Sequence, residues 1–287
     1  MAGAVLRAAA TLSRVLPEAA RLALYRLGPL THLLRRLLNR AAPSGAHPVR
    51  VAAGGLAGMW LLLDLQVDKD LWLGTYEPQL AAAIRRFARP GSVVYDLGAN
   101  VGYTALLLAR AVGPAGRVLA FEPLPSNLDR LRQAVALNGL DLLIDVVPAA
   151  AGSRSEAGSF LVHDSGGMGR LGGGSGRTDG FVSKIAVDIV ALDDFVSRQG
   201  HPPPSLVKLD LEGGEGGALL GMRRLLREER PTLMVELHDR SAQDVIDLLV
   251  EAGYVSYAMR DGYPQVGRET EPEKFKHIVA LPSGTLP

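Results

Sequence analysis

Cysteine is absent from the 287 residues, which excludes disulfides, thiolate nucleophiles and cysteine-ligated zinc. Nothing in the chain then depends on redox state, and a reducing cytoplasm is compatible with it. Also missing is any apolar run of the roughly 18 to 20 residues that cross a bilayer. Arg7, Arg14 and Arg21 interrupt each apolar stretch at the amino end, so no secretory leader is expected and the expected location is cytoplasmic. Acids are nearly missing from residues 1–50: Glu18 stands alone against eight arginines, a side-chain sum of +7, and with a net charge of +1 the remainder carries −6. That remainder has no reason to attract nucleic acid, whereas the basic arm can approach an anionic surface such as acidic lipid headgroups.

What is present suffices for one large core, since 47% of the residues are hydrophobic. Residues 3–42 alternate Leu, Val and Ala with arginine at helical spacing (Leu12, Val15, Leu16, Leu22; Leu30, Leu33, Leu34, Leu37), broken by Pro17 and Pro29. The pattern predicts two or three short amphipathic helices. They pack on the main domain or on a partner subunit of a homo-oligomer, or lie peripherally on a membrane. Residues 49–73 alternate more like strands around Gly54-Gly55 and Gly58, a hairpin leading to a helix over 78–87. The segments 1–48, 49–90 and 91–287 thus differ in pattern, the last being the main domain.

From residue 93 the order is that of a parallel sheet with crossover helices: strand 93–97, helix 103–112, strand 117–121, helix 125–138, strand 143–147. Strand 205–210, helix 215–227, strand 231–237 and helix 241–252 follow. Strands near 254–258 and 276–281 lack a helix between them and are expected to pair antiparallel. The expectation is a Rossmann-like α/β fold, a mostly parallel seven-stranded sheet with its last strand reversed. Residues 148–204 interrupt the rhythm with a hairpin (159–163 against 184–190) and a short helix over 192–198. The Gly-rich stretch at 165–180 reads as a flexible linker or as a substrate lid.

The strongest chemical signal is Val93-Val94-Tyr95-Asp96-Leu97-Gly98-Ala99-Asn100-Val101-Gly102, an apolar strand entering a Gly-x-Asn-x-Gly turn that opens a helix. Glycines allow a sharp turn and close approach of a ligand over the strand's carboxyl end. Glu122 ends the next strand, 20 residues after Gly102, where an acid can accept both ribose hydroxyl hydrogen bonds of an adenosine. A dinucleotide fingerprint reads Gly-x-Gly-x-x-Gly, and its second glycine makes room for pyrophosphate. Asn100 stands in that crowded place, while Asp96 and Asn100 suit the ammonium and carboxylate of a methionine moiety. S-adenosylmethionine is therefore favoured over NAD, with an NAD-dependent oxidoreductase and a non-catalytic membrane-associated scaffold as the competing readings.

Five stretches together resemble the FkbM-type methyltransferases: Leu73-Gly74-Thr75-Tyr76-Glu77-Pro78, Tyr95 to Thr104, Phe121-Glu122-Pro123, Val207 to Glu215, and Met234-Val235-Glu236-Leu237-His238. The resemblance implies S-adenosylmethionine as donor and O-methylation of a sugar, polyketide or related metabolite, a small-molecule or glycan acceptor. Carried over by position, it implies that Asp96, Gly98, Asn100 and Gly102 form the cofactor loop, that Glu122 binds the ribose, and that Asn127 flanks the adenosine. Tyr76, Glu77, Glu212 and Glu215 are expected to face the acceptor. The Gly-rich insertion is longer than the family's, and the basic arm lies outside the matching stretches.

A hydroxyl acceptor must lose a proton, and the candidate groups stand at strand carboxyl ends: Asp210 first, as base or acceptor-binding residue, then His238, with Glu236 beside it. Glu212 or Glu215 can equally cap the helix that starts near Gly214. Asp210, Glu236 and His238 show no compact metal-ligand motif, so metal-independent transfer is expected. Lys208 directs its amine to a carboxylate or sits at an exposed edge. His32, His47, His163, His201 and His277 show no partner spacing and are expected at the surface.

Overall fold

A computed structural model describes residues 2–26, 36–163, 168–172, 180–238, 242–270 and 275–285. The amino end forms helices α1 (Ala2–Val15), α2 (Glu18–Arg26) and α3 (36–41). Strands β1 (His47–Arg50) and β2 (Trp60–Leu63) pair antiparallel as the expected hairpin, but the chain then forms a short helix, α4 (Lys69–Leu73), where strand was expected. Helix α5 (Pro78–Phe87) has Pro78 in its first turn, where a missing N–H costs nothing.

The main sheet follows the predicted alternation closely. Strand β3 (Val93–Leu97), helix α6 (Tyr103–Val112), strand β4 (Arg117–Phe121), helix α7 (Pro125–Leu137) and strand β5 (Ile144–Val147) build outward from the centre. The interrupting segment is more than a hairpin: β6 (Ala149–Ala151), β7 (Glu156–His163), β8 (Gly169–Leu171) and β9 (Phe181–Val190) form their own sheet in the order β6-β9-β7-β8. Of the Gly-rich stretch, 165–167 and 173–179 lie outside the described residues, and with them the choice between linker and lid. Helix α8 (Leu192–Ser197) and strand β10 (Leu206–Leu209) return to the main sheet. The expected helix 215–227 is broken into α9 (Glu215–Leu220) and α10 (Arg223–Glu228) at Gly221, which lies against the carbonyl of Gly152 where a Cβ would not fit. Strand β11 (Thr232–Glu236), helix α11 (Ala242–Glu251) and strands β12 (Tyr254–Ala258), β13 (Gln265–Val266) and β14 (His277–Pro282) complete the fold.

The sheet order is β13-β12-β14-β11-β10-β3-β4-β5. Strands β5, β4, β3, β10 and β11 run parallel, and β14 inserts antiparallel between β11 and β12. The seven expected strands are all present, with β13 a two-residue addition at the edge. After β3 the chain moves to one side of the sheet and after β10 to the other, so the crevice outside the carboxyl ends of β3 and β10 is the topological switch point where such sheets bind ligands.

Alternation along the strands sorts the side chains onto two faces. Tyr95, Leu97, Leu119, Phe121, Val207 and Leu209 meet α8 to α11 in one core. Val94, Val118, Ala120, Leu206 and Met234 meet α5, α6, α7 and the amino-terminal elements in the other. That second core draws Leu38, Val49, Ile84 and Leu106 together with the sheet, so the segments 1–48, 49–90 and 91–287 share one continuous interior. The leading hairpin is fastened to α7 through Asn138 at its end, which donates to Trp60 O (2.7 Å) and accepts from Trp60 N (2.9 Å).

Candidate active site

The polar residues of the switch point follow from the same alternation. Asp96 and Lys208 fall on the face of Val94 and Leu206, directly opposite one another in the parallel register. Lys208 Nζ lies 3.4 Å from Asp96 Oδ1 and 3.4 Å from Asp210 Oδ2, and donates to Gly98 O at 3.1 Å. Lys208 is thus not an exposed edge residue. It is buried on a central strand, and although burial disfavours its charge, Asp210 and Asp96 raise its pKa and keep it protonated.

Asp96 is drawn inward as well: its side chain is fully buried and touches Lys208, and burial raises its pKa against the pull of Lys208. Gly98 turns at φ +80°, and a Cβ there would fall on the carbonyl oxygen of Asp210, so only glycine lets the two strand ends close.

Asn100 adopts φ +50°, which aims its N–H at Glu122 Oε2 (2.8 Å). Glu122 Oε1 accepts from Leu124 N (2.9 Å) and from Asn127 Nδ2 (3.4 Å). Burial outweighs these bonds and raises the Glu122 carboxyl to about 7. A carboxylate offers about four acceptor positions, so three N–H partners leave room for one more. Glu122, Asn100 and Asn127 line a partly open cavity floored by Phe121 and by Ala149 to Ala151 of β6. An acid fixed by loop amides above an apolar floor fits a ribose beside a base. Gly102 closes the loop at the start of α6, against Leu131.

A second cavity lies beside the first and is lined by Tyr76, Tyr103, Asp70 and Lys208, among others. The two share Gly98, Asn100, Asn127, Met168 and Asp210. Asp210 therefore stands at their junction. Tyr76 meets Tyr103 edge to face with ring centres 5.4 Å apart. Burial, reinforced by Glu77, Asp210 and Glu236, raises the Tyr76 hydroxyl well above its usual range, so it stays protonated.

Around Asp210 the structure gathers every acid and base that the sequence placed at the strand ends. His238 Nδ1 lies 3.0 Å from Glu215 Oε1, while its Nε2 lies 3.6 Å from Glu212, 3.7 Å from Glu236 and 4.0 Å from Asp210. Burial alone would lower the His238 pKa, but the bond to Glu215 and the surrounding acids raise it to about 9. A histidine that keeps its proton at neutral pH is a poor proton acceptor. Glu236 fares no better: burial is overcome by His277 and Lys276, which hold its carboxyl down at about 2. Asp210 is raised to about 6 by burial and Glu236, against the opposing charge of Lys208, and is the carboxylate poised near working pH.

Glu215 also accepts from Leu211 N (2.8 Å) and Gly213 N (3.3 Å), so it holds the loop before α9 as well as His238; it is fully buried, whereas it was expected to face the acceptor or to cap the helix. His277 was expected at the surface but is buried, its Nε2 3.3 Å from both Glu77 and Glu236, and those two acids raise it to about 9 despite burial. Lys276 Nζ adds a contact of 2.8 Å to Glu236. Neither residue was found from sequence, because their position depends on β14 pairing His277 opposite Glu236. Among the described residues, two groups have ligand atoms close enough to hold a cation, Asp210 with Glu236 and His238, and Glu77 with Glu236 and His277. Lys208 and Lys276 already present ammonium charges to Asp210 and Glu236 in them.

Glu77, Asn100 and Glu212 all have positive φ (38°, 50° and 52°) and all border this site. Non-glycine residues adopt that region rarely, and such conformations concentrate where function over-determines the backbone.

A sheet with a reversed strand inserted beside β11, an acid-ended β4 and a glycine turn after β3 together define a Rossmann-like methyltransferase. Residues 96–256 match the Methyltransferase FkbM domain family, and the chain belongs to that family. Among its relatives, hexuronic acid methyltransferase AglP of Haloferax volcanii is 26% identical over 212 residues, 74% of this chain and 80% of its own. The 31-O-demethyl-FK506 methyltransferase FkbM of Streptomyces tacrolimicus is 26% identical over 199 residues, 60% of this chain and 76% of its own. The crystal structure of methyltransferase FkbM from Methylobacillus flagellatus is 20% identical with a TM-score of 0.44, covering 76% of this chain and 53% of that one. Family membership sets aside the nicotinamide alternative.

Proposed function

We propose that this methyltransferase transfers the methyl group of S-adenosylmethionine to a hydroxyl oxygen of a sugar, polyketide or related acceptor, with Asp210 as the base. The observation that carries the proposal is the position of Asp210 where the nucleoside-fitting cavity meets the second one, its carboxyl near 6. S-adenosylmethionine, when bound, supplies an electrophilic methyl carbon on a sulfonium. Glu122 with Asn127 holds the ribose side, and the backbone between Gly98 and Gly102 leaves room for the amino-acid end. Lys208 fixes Asp210 Oδ2, so Oδ1 is the atom that takes the acceptor's proton. His238, held protonated by Glu215, keeps the repelling carboxylates of Asp210, Glu212 and Glu236 together. The Tyr76–Tyr103 pair and Glu77 border the acceptor side. That one relative is named for a hexuronic acid and another for 31-O-demethyl-FK506 supports oxygen as the accepting atom.

The test incubates the chain with methyl-labelled donor and a metabolite or glycan extract and identifies the labelled product by mass. Asp210→Asn is expected to slow labelling by roughly 10² to 10⁴-fold, the range of a positioned base, while S-adenosylhomocysteine still binds in calorimetry. Undiminished labelling by the variant refutes the role of Asp210; donor binding without turnover on any acceptor favours a scaffold.

A further inference from the structure

Helix α1 carries two apolar faces, and only one has a use inside the molecule. Leu6, Ala9 and Ala10 pack toward the core, with Ser13 buried beside them. On the other side Val5, Ala8, Leu12 and Val15 recur at intervals of three, four and three residues, which on a helix makes one continuous stripe. All four are exposed, Leu12 at 50% and Val15 at 75%. Arg7 and Arg14, seven residues apart, run along one edge of that stripe and are exposed too. In α3, Leu37 is exposed between Arg36 and Arg40.

We infer that the exposed stripe of α1 docks the enzyme on an anionic lipid surface. Apolar side chains flanked by arginine are what a helix lying in the headgroup plane requires, and a water-exposed stripe without such a surface wastes apolar area. Charge selects the occupant: the first 50 residues sum to +7 and the remainder to −6, so an anionic surface attracts the arm and repels the body, which fixes the orientation. No described helix is long and apolar enough to cross the bilayer, so contact is peripheral. The arm also frames the second cavity. Gly45 N donates to Asp64 Oδ2 (3.3 Å), Gln66 Nε2 donates to Asn39 O (2.9 Å) and Ala42 O (3.0 Å), and Ala46 and Asp64 line the cavity wall. The inference uses nothing of the proposed chemistry, and its test needs no acceptor.

The full chain is co-sedimented with extruded vesicles of phosphatidylcholine alone or with about 30% phosphatidylglycerol, at low and moderate salt. Binding to the anionic vesicles alone, weakening with salt, is expected. An arginine at such a surface is worth about fivefold in partitioning, so Arg7→Ala with Arg14→Ala should weaken binding roughly 30-fold, at an unchanged melting temperature because both side chains are exposed. Leu12→Glu should abolish it. Equal binding to neutral vesicles, no binding at all, or full binding by the double arginine variant overturns the inference. So does a concentration-dependent dimer that Leu12→Glu dissolves in the absence of vesicle binding, which would give the stripe to a second copy.

Discussion

Gly98 offers the sharpest test of how the site is assembled, because one added methyl group meets two separable obstacles. Its φ of +80° costs an L-residue about 1 to 2 kcal/mol in any surroundings. The new Cβ also falls on the Asp210 carbonyl oxygen, a backbone atom fixed at the end of a central strand, and relieving that collision should cost a further 1 to 3 kcal/mol or so, as overpacking does. Gly91 provides the control, since its φ is +77° and nothing lies within 4 Å of the position of its Cβ. Gly91→Ala should therefore carry the conformational cost alone, and Gly98→Ala about 2 to 5 kcal/mol in all. Thermal unfolding of both variants measures the difference. Donor-dependent methyl transfer, corrected for folded fraction, measures whether moving the Asp210 backbone disables chemistry. Activity of Gly98→Ala should fall well below that of Gly91→Ala. Equal melting temperatures and equal activities would refute the claim that contact between the ends of β3 and β10 sets the position of Asp210.

Glu122→Gln keeps the side chain's shape but turns one acceptor into a donor facing the N–H groups of Asn100 or Leu124; donor affinity should weaken by roughly 10- to 100-fold, the worth of a hydrogen bond to a charged group, and unchanged calorimetric affinity for S-adenosylhomocysteine would count against the ribose role. In the pH profile of kcat/KM, a base with a pKa near 6 is active when deprotonated, so the rate should rise with pH and level off above about 6. A limb that keeps rising to pH 9 would instead identify His238 as the base.

Much of this molecule could be read in one dimension. The bounds of α5, β3, α6 and β4 coincide with the sequence expectation, because each is local: an apolar run of strand length bounded by glycine, or a helical stripe opened by proline. The position of Glu122 was legible for a similar reason, since it depends only on ending the strand after the glycine turn. The partner of Asp96 was not legible, because the sequence places it at a strand end without saying which neighbour lies beside it. The register of β3 with β10, joined across more than a hundred residues, sets Lys208 opposite Asp96 and gives that carboxylate a buried ammonium partner.

The same reasoning explains the division of labour among the site's carboxylates. Asp210, placed first among the candidates, and Glu236 hold equivalent positions in sequence, each an acid at the carboxyl end of a parallel strand. They cease to be equivalent once β14 enters antiparallel beside β11, for that strand brings His277 opposite Glu236 and Lys276 next to it. Two cations hold Glu236 ionised far below neutral pH, which makes it a weak base. Asp210 shares its one buried ammonium, Lys208, with Asp96, and its burial is offset less completely. Which acid can take a proton at neutral pH is thus decided by the reversed strand, whose apolar core Ile278 to Leu281 gives no hint in sequence of the two residues it delivers ahead of it.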